Sequence, residues 1–350
     1  MIGVPGAIRD QLEQRLKREF GHCVTGWSPV AGGTQNRLFR LDTLAGPALL
    51  AKFYHQDRWN RLDREFSVLT LLGRHGLAHV PRAYLRSDDY GYGVYSFELG
   101  RPRSAAELQP GDLRAVAGFA AELQRVAPSA TGQDLSPAAD ASFSIEQQLQ
   151  VIDSRLRAFE TFAGSPEAFG EVRDLSRELD LRLAITELVR RATAGMPEDE
   201  RRAALPRAAW RVNTADFGPQ NLLFTADGHL TVVDFEAAGW DDPARLVMGF
   251  VAHATSEDLA PGGVARFLGA YAEACALSEP EIARFERVGA LYDLEWIAIY
   301  ASALTGEAVA AKQFASREFD RPTYLAGAVA KLKRRLVRAT ECGGYRFRAD

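Results

Sequence analysis

The chain has 350 residues, 47% hydrophobic and 25% charged, a balance typical of a water-soluble globular protein with room for two cores. Its net charge of −4 offers no general attraction for nucleic acid or an anionic membrane. Three scattered cysteines (Cys23, Cys275, Cys342) form no C-x-x-C pair, and the opening MIGVPGAIRDQLEQRLKREF lacks the apolar core of a signal peptide. No apolar run approaches the roughly 20 residues needed to cross a bilayer, so a cytoplasmic location is expected.

Ile8, Leu12, Leu16 and Phe20 recur at helical spacing and predict a short amphipathic helix. WSPVAGGTQNRLFRLDT follows as a strand, a glycine turn and a second strand. Gly32 and Gly33, with Thr34 beside them, would let the backbone approach a phosphate closely, although such a pair is also an ordinary turn. The next strand, ALLAKFYH, embeds Lys52 in apolar residues. Leu62, Phe66, Leu69 and Leu72 then mark one face of a helix, and Glu65 lies on that same face. A carboxylate on an apolar stripe and a lysine in an apolar strand each cost several kcal/mol if buried alone. Pairing them removes both costs; the blander alternative puts Lys52 at a strand edge and Glu65 on a helix rim.

PRAYLRS and GVYSFELG, separated by the turn-rich DDYGYG, read as a further hairpin. DLRAVAGFAAELQRV has Leu113, Val116, Ala120 and Leu123 on one helical face. PSATGQDLSPAADAS reads as a loop, a flap or a surface excursion. Two long helical patterns follow, SIEQQLQVIDSRLRAFETF and EVRDLSRELDLRLAITELVRRATAG, with acids and bases interleaved as on solvated faces. His75 and His79 are four apart but are interrupted by Gly76 and followed by Pro81, a poor metal pair. KLKRRLVR near the carboxyl end reads as a basic last turn favoured by the helix dipole. Neither a G-x-S-x-G elbow nor a P-loop is present, which disfavours serine hydrolases and P-loop kinases.

Residues 211–243, RVNTADFGPQNLLFTADGHLTVVDFEAAGWDDP, carry the densest chemistry. LLFT and HLTVV are strand-like, and Asp227-Gly228 between them signals a two-residue hairpin turn. With that turn Ala226 faces His229 and Asn221 faces Asp234, placing an amide oxygen beside a carboxylate, the ligand type that Mg²⁺ prefers. Asp216, just upstream among turn formers, is placed to reach a substrate hydroxyl beside the metal. Singly, each of the three also suits a turn residue bonding its own backbone.

An Asp base, an Asn a few residues on and a metal-binding Asp followed by Phe is the order found in protein kinases. The residues here, D-F-G-P-Q-N, then V-V-D-F-E and G-W-D-D-P, resemble the aminoglycoside phosphotransferase and choline kinase branch of the protein-kinase-like superfamily. Phe235, Glu236, Gly239, Trp240, Asp242 and Pro243 fit that pattern, whereas Thr214 stands where the family usually has a His that scaffolds the loop. The resemblance implies an α+β, two-lobed fold, with a β-rich nucleotide-binding lobe over 1–99 and a mostly helical catalytic and acceptor-binding lobe over 100–350. It implies Asp216 as catalytic base and Asn221 and Asp234 as Mg²⁺ ligands. Gly32, Gly33, Thr34, Lys52 and Glu65 would hold the phosphates of ATP or another nucleoside triphosphate, and Phe97, Glu98 and Leu99 the adenine. Asp241 and Asp242 would steady the metal loop. The expected activity is ATP-dependent transfer of the γ-phosphoryl group to a hydroxyl of a small molecule such as a sugar, amino alcohol or antibiotic, without nucleic acid or membrane. The alternatives are a catalytically silent nucleotide-binding protein and a metal-dependent phosphohydrolase.

Overall fold

A computed structural model describes residues 4–30, 36–55, 60–128, 135–315, 318–341 and 345–347. It begins with helix α1 (Gly6–Phe20), whose stripe of Leu12 and Leu16 is fully buried. Gly21 ends it in the left-handed region (φ 73°), its N–H bonding Lys17 O at 3.0 Å. Strands β1 (Val24–Pro29), β2 (Arg37–Thr43) and β3 (Leu49–Phe53) come next, then helix α2 (Arg61–Arg74) and strands β4 (Ala83–Ser87) and β5 (Tyr92–Ser96). They form a five-stranded antiparallel sheet in the order β1-β2-β3-β5-β4. One face, with Phe39, Leu41, Leu49 and Val94, packs on α1 as a small core. Against α2, Tyr54 and Tyr95 instead join the larger core of the rest of the chain.

Beyond the short strand β6 (Arg101–Pro102) the chain turns helical: α3 (Pro110–Leu123), α4 (Ile145–Ala163), α5 (Gly170–Glu178), α6 (Leu181–Ala192) and α7 (Glu198–Arg202). The long pattern expected over 171–195 is two helices, because Leu179 is extended and the Asp180 side chain caps a fresh start, accepting Leu183 N–H at 2.9 Å. Four short strands then build the loop platform: β7 (Arg211–Asn213), β8 (Leu222–Phe224), β9 (Leu230–Val232) and β10 (Gly239–Asp241). β10 pairs with β7, and β8 lies between β6 and β9. The described second half of the expected 128–142 loop is stitched to β10, with Trp240 N–H donating to Ser136 O and Ala138 N–H to Trp240 O.

Helices α8 (Pro243–Ala252), α9 (Gly263–Cys275), α10 (Glu279–Ala290), α11 (Tyr292–Ser302), α12 (Gly306–Ala315) and α13 (Arg321–Glu341) complete the larger lobe. α3 packs on α9, α8 on α10, and α11 between α4 and α13. The basic stretch of α13 is not wholly solvated: Arg335 is buried, its Nε 2.8 Å from Asp293 and its Nη1 2.6 Å from Glu257. Among the described residues, no helix is long and apolar enough to cross a membrane.

Candidate active site

Lys52 projects from the next-to-last position of β3, opposite Leu38 on β2 and Gly93 on β5. It is only 5% exposed, and its Nζ donates to Glu65 Oε2 of α2 at 2.8 Å and to Asp234 Oδ1 at 2.6 Å. Glu236 Oε2 lies 3.0 Å from the same ammonium. Glu65 is locked further: its Oε2 accepts the Tyr54 hydroxyl at 2.7 Å, and Tyr54 in turn meets Tyr95 OH at 2.7 Å. A Cβ at position 93 would stand 2.4 Å from that Tyr95 hydroxyl, so glycine there makes room for the relay. Glu236 is also bound by Arg61 Nη1 at 2.5 Å and by the Asn36 amide.

Three carboxylates, Glu65, Asp234 and Glu236, thus offer oxygens within 4.8 Å of one another around one lysine. Burial works against the Lys52 charge, but Asp234, Glu236 and Glu65 together hold its pKa well above the ordinary value. Asp234 bears the excess: burial and the neighbouring Glu236 and Glu65 charges push its pKa up to about 7 against the pull of Lys52. Glu236 stays below the ordinary range, because Lys52, Arg61 and Asn36 outweigh its burial. The Asp234 side chain is 36% exposed, so the carboxylate that meets Lys52 also opens to solvent. Such an oxygen-rich, charge-excess set fits a hard divalent cation.

The predicted hairpin forms with a different register. Leu222 pairs with Val232, Leu223 with Thr231 and Phe224 with Leu230, so Asn221 falls opposite Val233, whose N–H donates to Asn221 O at 3.0 Å. The reason is the turn. Gly228, at φ 85°, ends a three-residue loop closed by Thr225 N–H to His229 O at 3.0 Å, rather than the second half of a two-residue turn. A one-residue slip reverses facing, and Asn221 and Asp234 are not cross-strand partners. Asp234 lies past the end of β9 in the left-handed region (φ 69°), from which its carboxylate meets Lys52.

Asp216 sits on the connection after β7. Asn213 anchors that loop by accepting Ala215 N–H at 2.8 Å and donating to Asp241 Oδ2 at 2.9 Å. The Asp216 side chain is about half exposed, and both its oxygens are held. His253 Nε2 lies 2.9 Å from Oδ1, Gln220 Nε2 donates to Oδ1 at 3.4 Å, and Asn221 Nδ2 donates to Oδ2 at 3.0 Å. Burial would raise its pKa, but the hydrogen bond and charge of His253, then Asn221 and Gln220, carry it below the ordinary aspartate value. Because the Asn221 amide nitrogen is spent on Asp216, its oxygen is the end left for another ligand.

Asp241 and Asp242 serve the scaffold. Asp241 accepts Ser142 N–H at 2.9 Å and Arg245 Nε at 3.0 Å, while Asp242 caps α8 and pairs with Arg284. Phe97 N–H donates to Ala48 O at 3.1 Å, the Glu98 carboxylate accepts the Ser96 hydroxyl, and Leu99 is 69% exposed on the connection to β6. Gly32, Gly33 and Thr34 lie outside the described residues. Sequence reasoning missed His253, Arg61, Asn36 and Lys312. Lys312 on α12 has its pKa lowered by burial, against the attraction of Glu236 and Asp216. Only Arg61 carried a local signal, one turn before Glu65 on the same helix.

The profile of the phosphotransferase enzyme family (APH) matches residues 26–284, and the chain belongs to that family. It is therefore a phosphotransferase. Solved structures agree in fold. A spectinomycin phosphotransferase in complex with ADP and spectinomycin is 14% identical, covering 92% of this chain and 98% of that one at a TM-score of 0.60. An ethanolamine kinase from Plasmodium vivax is 14% identical over 89% of this chain and 81% of that one, TM-score 0.61. A choline kinase from Streptococcus pneumoniae is 16% identical over 95% and 100%, TM-score 0.58. Among curated proteins, no sequence match is found.

Proposed function

We propose that residues 1–99 bind the nucleotide and residues 100–350 carry the base and the acceptor pocket of a cytoplasmic kinase for a small hydroxylated metabolite or antibiotic. The free thiols Cys23 and Cys275 suit a reducing compartment. Lys52, fixed by Glu65, neutralises the α- and β-phosphates of ATP, and Gly32, Gly33 and Thr34 cover them. Phe97, Glu98 and Leu99 line the adenine. Asn221 and Asp234 would hold Mg²⁺, with Glu236 beside Asp234, and the ion would supply charge neutralisation of the phosphate oxygens. Asp216 orients the acceptor hydroxyl and takes its proton as the oxygen attacks the γ-phosphorus and the bond to the ADP oxygen breaks. Its lowered pKa keeps it ionised for hydrogen bonding at neutral pH. Catalysis rests on alignment and electrostatics rather than on covalent work by the protein.

The observation that carries this reading is the gathering of Lys52, Glu65, Asp234 and Glu236 in one cluster, with the half-exposed Asp216 on the loop leading to it. The neighbours act on spectinomycin, ethanolamine and choline, which is why a hydroxyl on a compact polar molecule is the proposed acceptor. Incubation with γ-labelled ATP, Mg²⁺ and a metabolite extract should give labelled product and an equal amount of ADP. Phosphate release from phosphoesters without ATP, and no labelled product, would contradict it.

A further inference from the structure

His253 ends α8 and starts the following 3-10 turn at 254–256, 37 residues beyond Asp216 in sequence. It is buried, its ring edge-on to Trp296 with centroids 4.7 Å apart. Its Nδ1 lies 3.1 Å from the Thr255 backbone nitrogen and 2.8 Å from the Thr255 hydroxyl oxygen. An ionised carboxylate oxygen only accepts, so the ring nitrogen facing Asp216, Nε2, carries a hydrogen. That Nε2–H then donates to Asp216 Oδ1 at 2.9 Å. The Thr255 hydroxyl donates to Gln220 Oε1, and Gln220 Nε2 donates back to Asp216 Oδ1, closing a ring of four side chains.

Gly218 supplies an independent sign that the backbone is shaped around this histidine. Its φ of −145° asks for no glycine, yet a Cβ there would lie 2.5 Å from His253 Nδ1 and 2.5 Å from Gln220 Oε1. The loop's own Thr214, by contrast, is buried, with no hydrogen-bond partner for its hydroxyl among the described residues.

We propose that His253 is the positioning residue of the catalytic loop, fixing the carboxylate of Asp216 from outside the loop through Nε2–H. This rests on Asp216 being the base. His253 does not itself receive the acceptor's proton, because the Nε2 that faces Asp216 already bears a hydrogen and Nδ1 is taken up by Thr255. Its work is to hold Asp216 in one rotamer, with Oδ2 left to share between Asn221 and the incoming hydroxyl.

The test compares His253→Ala, His253→Gln and Gly218→Ala with Asp216→Ala, measuring Mg-dependent ATP turnover, KM for ATP and thermal unfolding, with ¹⁵N imidazole spectra of the parent protein. His253→Ala should lower kcat by about 10- to 100-fold, the cost of a misplaced group, with KM for ATP unchanged. His253→Gln puts an amide nitrogen where Nε2 was and should recover most of the rate, while Gly218→Ala should mimic His253→Ala without removing a functional group. The spectrum should show a hydrogen on Nε2, and its signal should move in Asp216→Asn. Turnover at the parental rate in His253→Ala when Asp216→Ala is dead would overturn the proposal alone, as would an Nε2 without a hydrogen or equal losses in the Ala and Gln variants. Parental turnover in Asp216→Ala would remove the base assignment on which it stands. Should His253→Ala not fold, the Gln and Gly218 variants and the spectrum still decide.

Discussion

Lys52 and Asp234, 182 residues apart in sequence, meet at 2.6 Å, the ammonium of one lobe against a carboxylate of the other. That contact, with Glu65 and Glu236 around it, gathers three carboxylates about one cation and leaves an acid short of countercharge. Most of what the structure implies about the enzyme can be tested from this cluster and the loop beside it.

Lys52→Ala should destabilise the ligand-free protein as well as abolish nucleotide binding. It leaves Glu65, almost fully buried, without its cation, and stranding one partner of a buried pair costs about 3 kcal/mol. Urea unfolding should show the loss, and Lys52→Arg should recover part of the stability but not the rate.

Asp234→Asn should have the opposite effect on stability. Burial and its acidic neighbours raise the folded pKa to about 7, above the about 3.9 of an unfolded aspartate. The folded state therefore binds this proton more tightly than the unfolded one, and stability from this group falls as pH climbs from about 4 to about 7. Asparagine removes that loss and tolerates the left-handed backbone at φ 69°. The variant should match the parent near pH 4, exceed it near pH 8 and bind Mg-ATP weakly. A parent that gains stability from this group over the same range would contradict the charge excess. For the same reason, Mg-ATP affinity in the parent should weaken as pH falls from 8 to 6.

Lys52 and Glu65 were legible because each sits in an apolar pattern it would otherwise violate, and the hairpin was legible from its two strand-like runs. Its register was not. Whether Gly228 ends a two- or a three-residue turn depends on Thr225, whose hydroxyl accepts the His229 N–H at 3.0 Å, and that choice decides what Asn221 faces. The break at Leu179 and Asp180 was hidden within a continuous amphipathic pattern. His253 had no local signal, since its contact with Asp216 exists only once α8 packs behind the loop.

Thr214→Val should stabilise the protein by about 1 kcal/mol, because it replaces a buried hydroxyl that lacks a partner among the described residues with a methyl of similar size. Turnover should be unchanged, since Thr214 does not hold the base. A large loss of rate in a well-folded Thr214→Val protein would give this hydroxyl a role its surroundings do not show.

Ala215→Gly should also stabilise, by about 1 kcal/mol, because Ala215 occupies the left-handed region at φ 62° and its side chain is exposed. The N–H to Asn213 Oδ1 bond survives the change. Thermal unfolding checks it.

The division of labour between Asp216 and Asp234 is tested most directly by titrating Mg-ATP calorimetrically into the two alanine variants and measuring phosphoryl transfer in parallel. Asp216→Ala should bind Mg-ATP like the parent while transfer falls by about 10²- to 10⁴-fold, and Asp234→Ala should lose affinity as well. Equal loss of affinity in both, or undiminished transfer without the Asp216 carboxylate, would contradict the account.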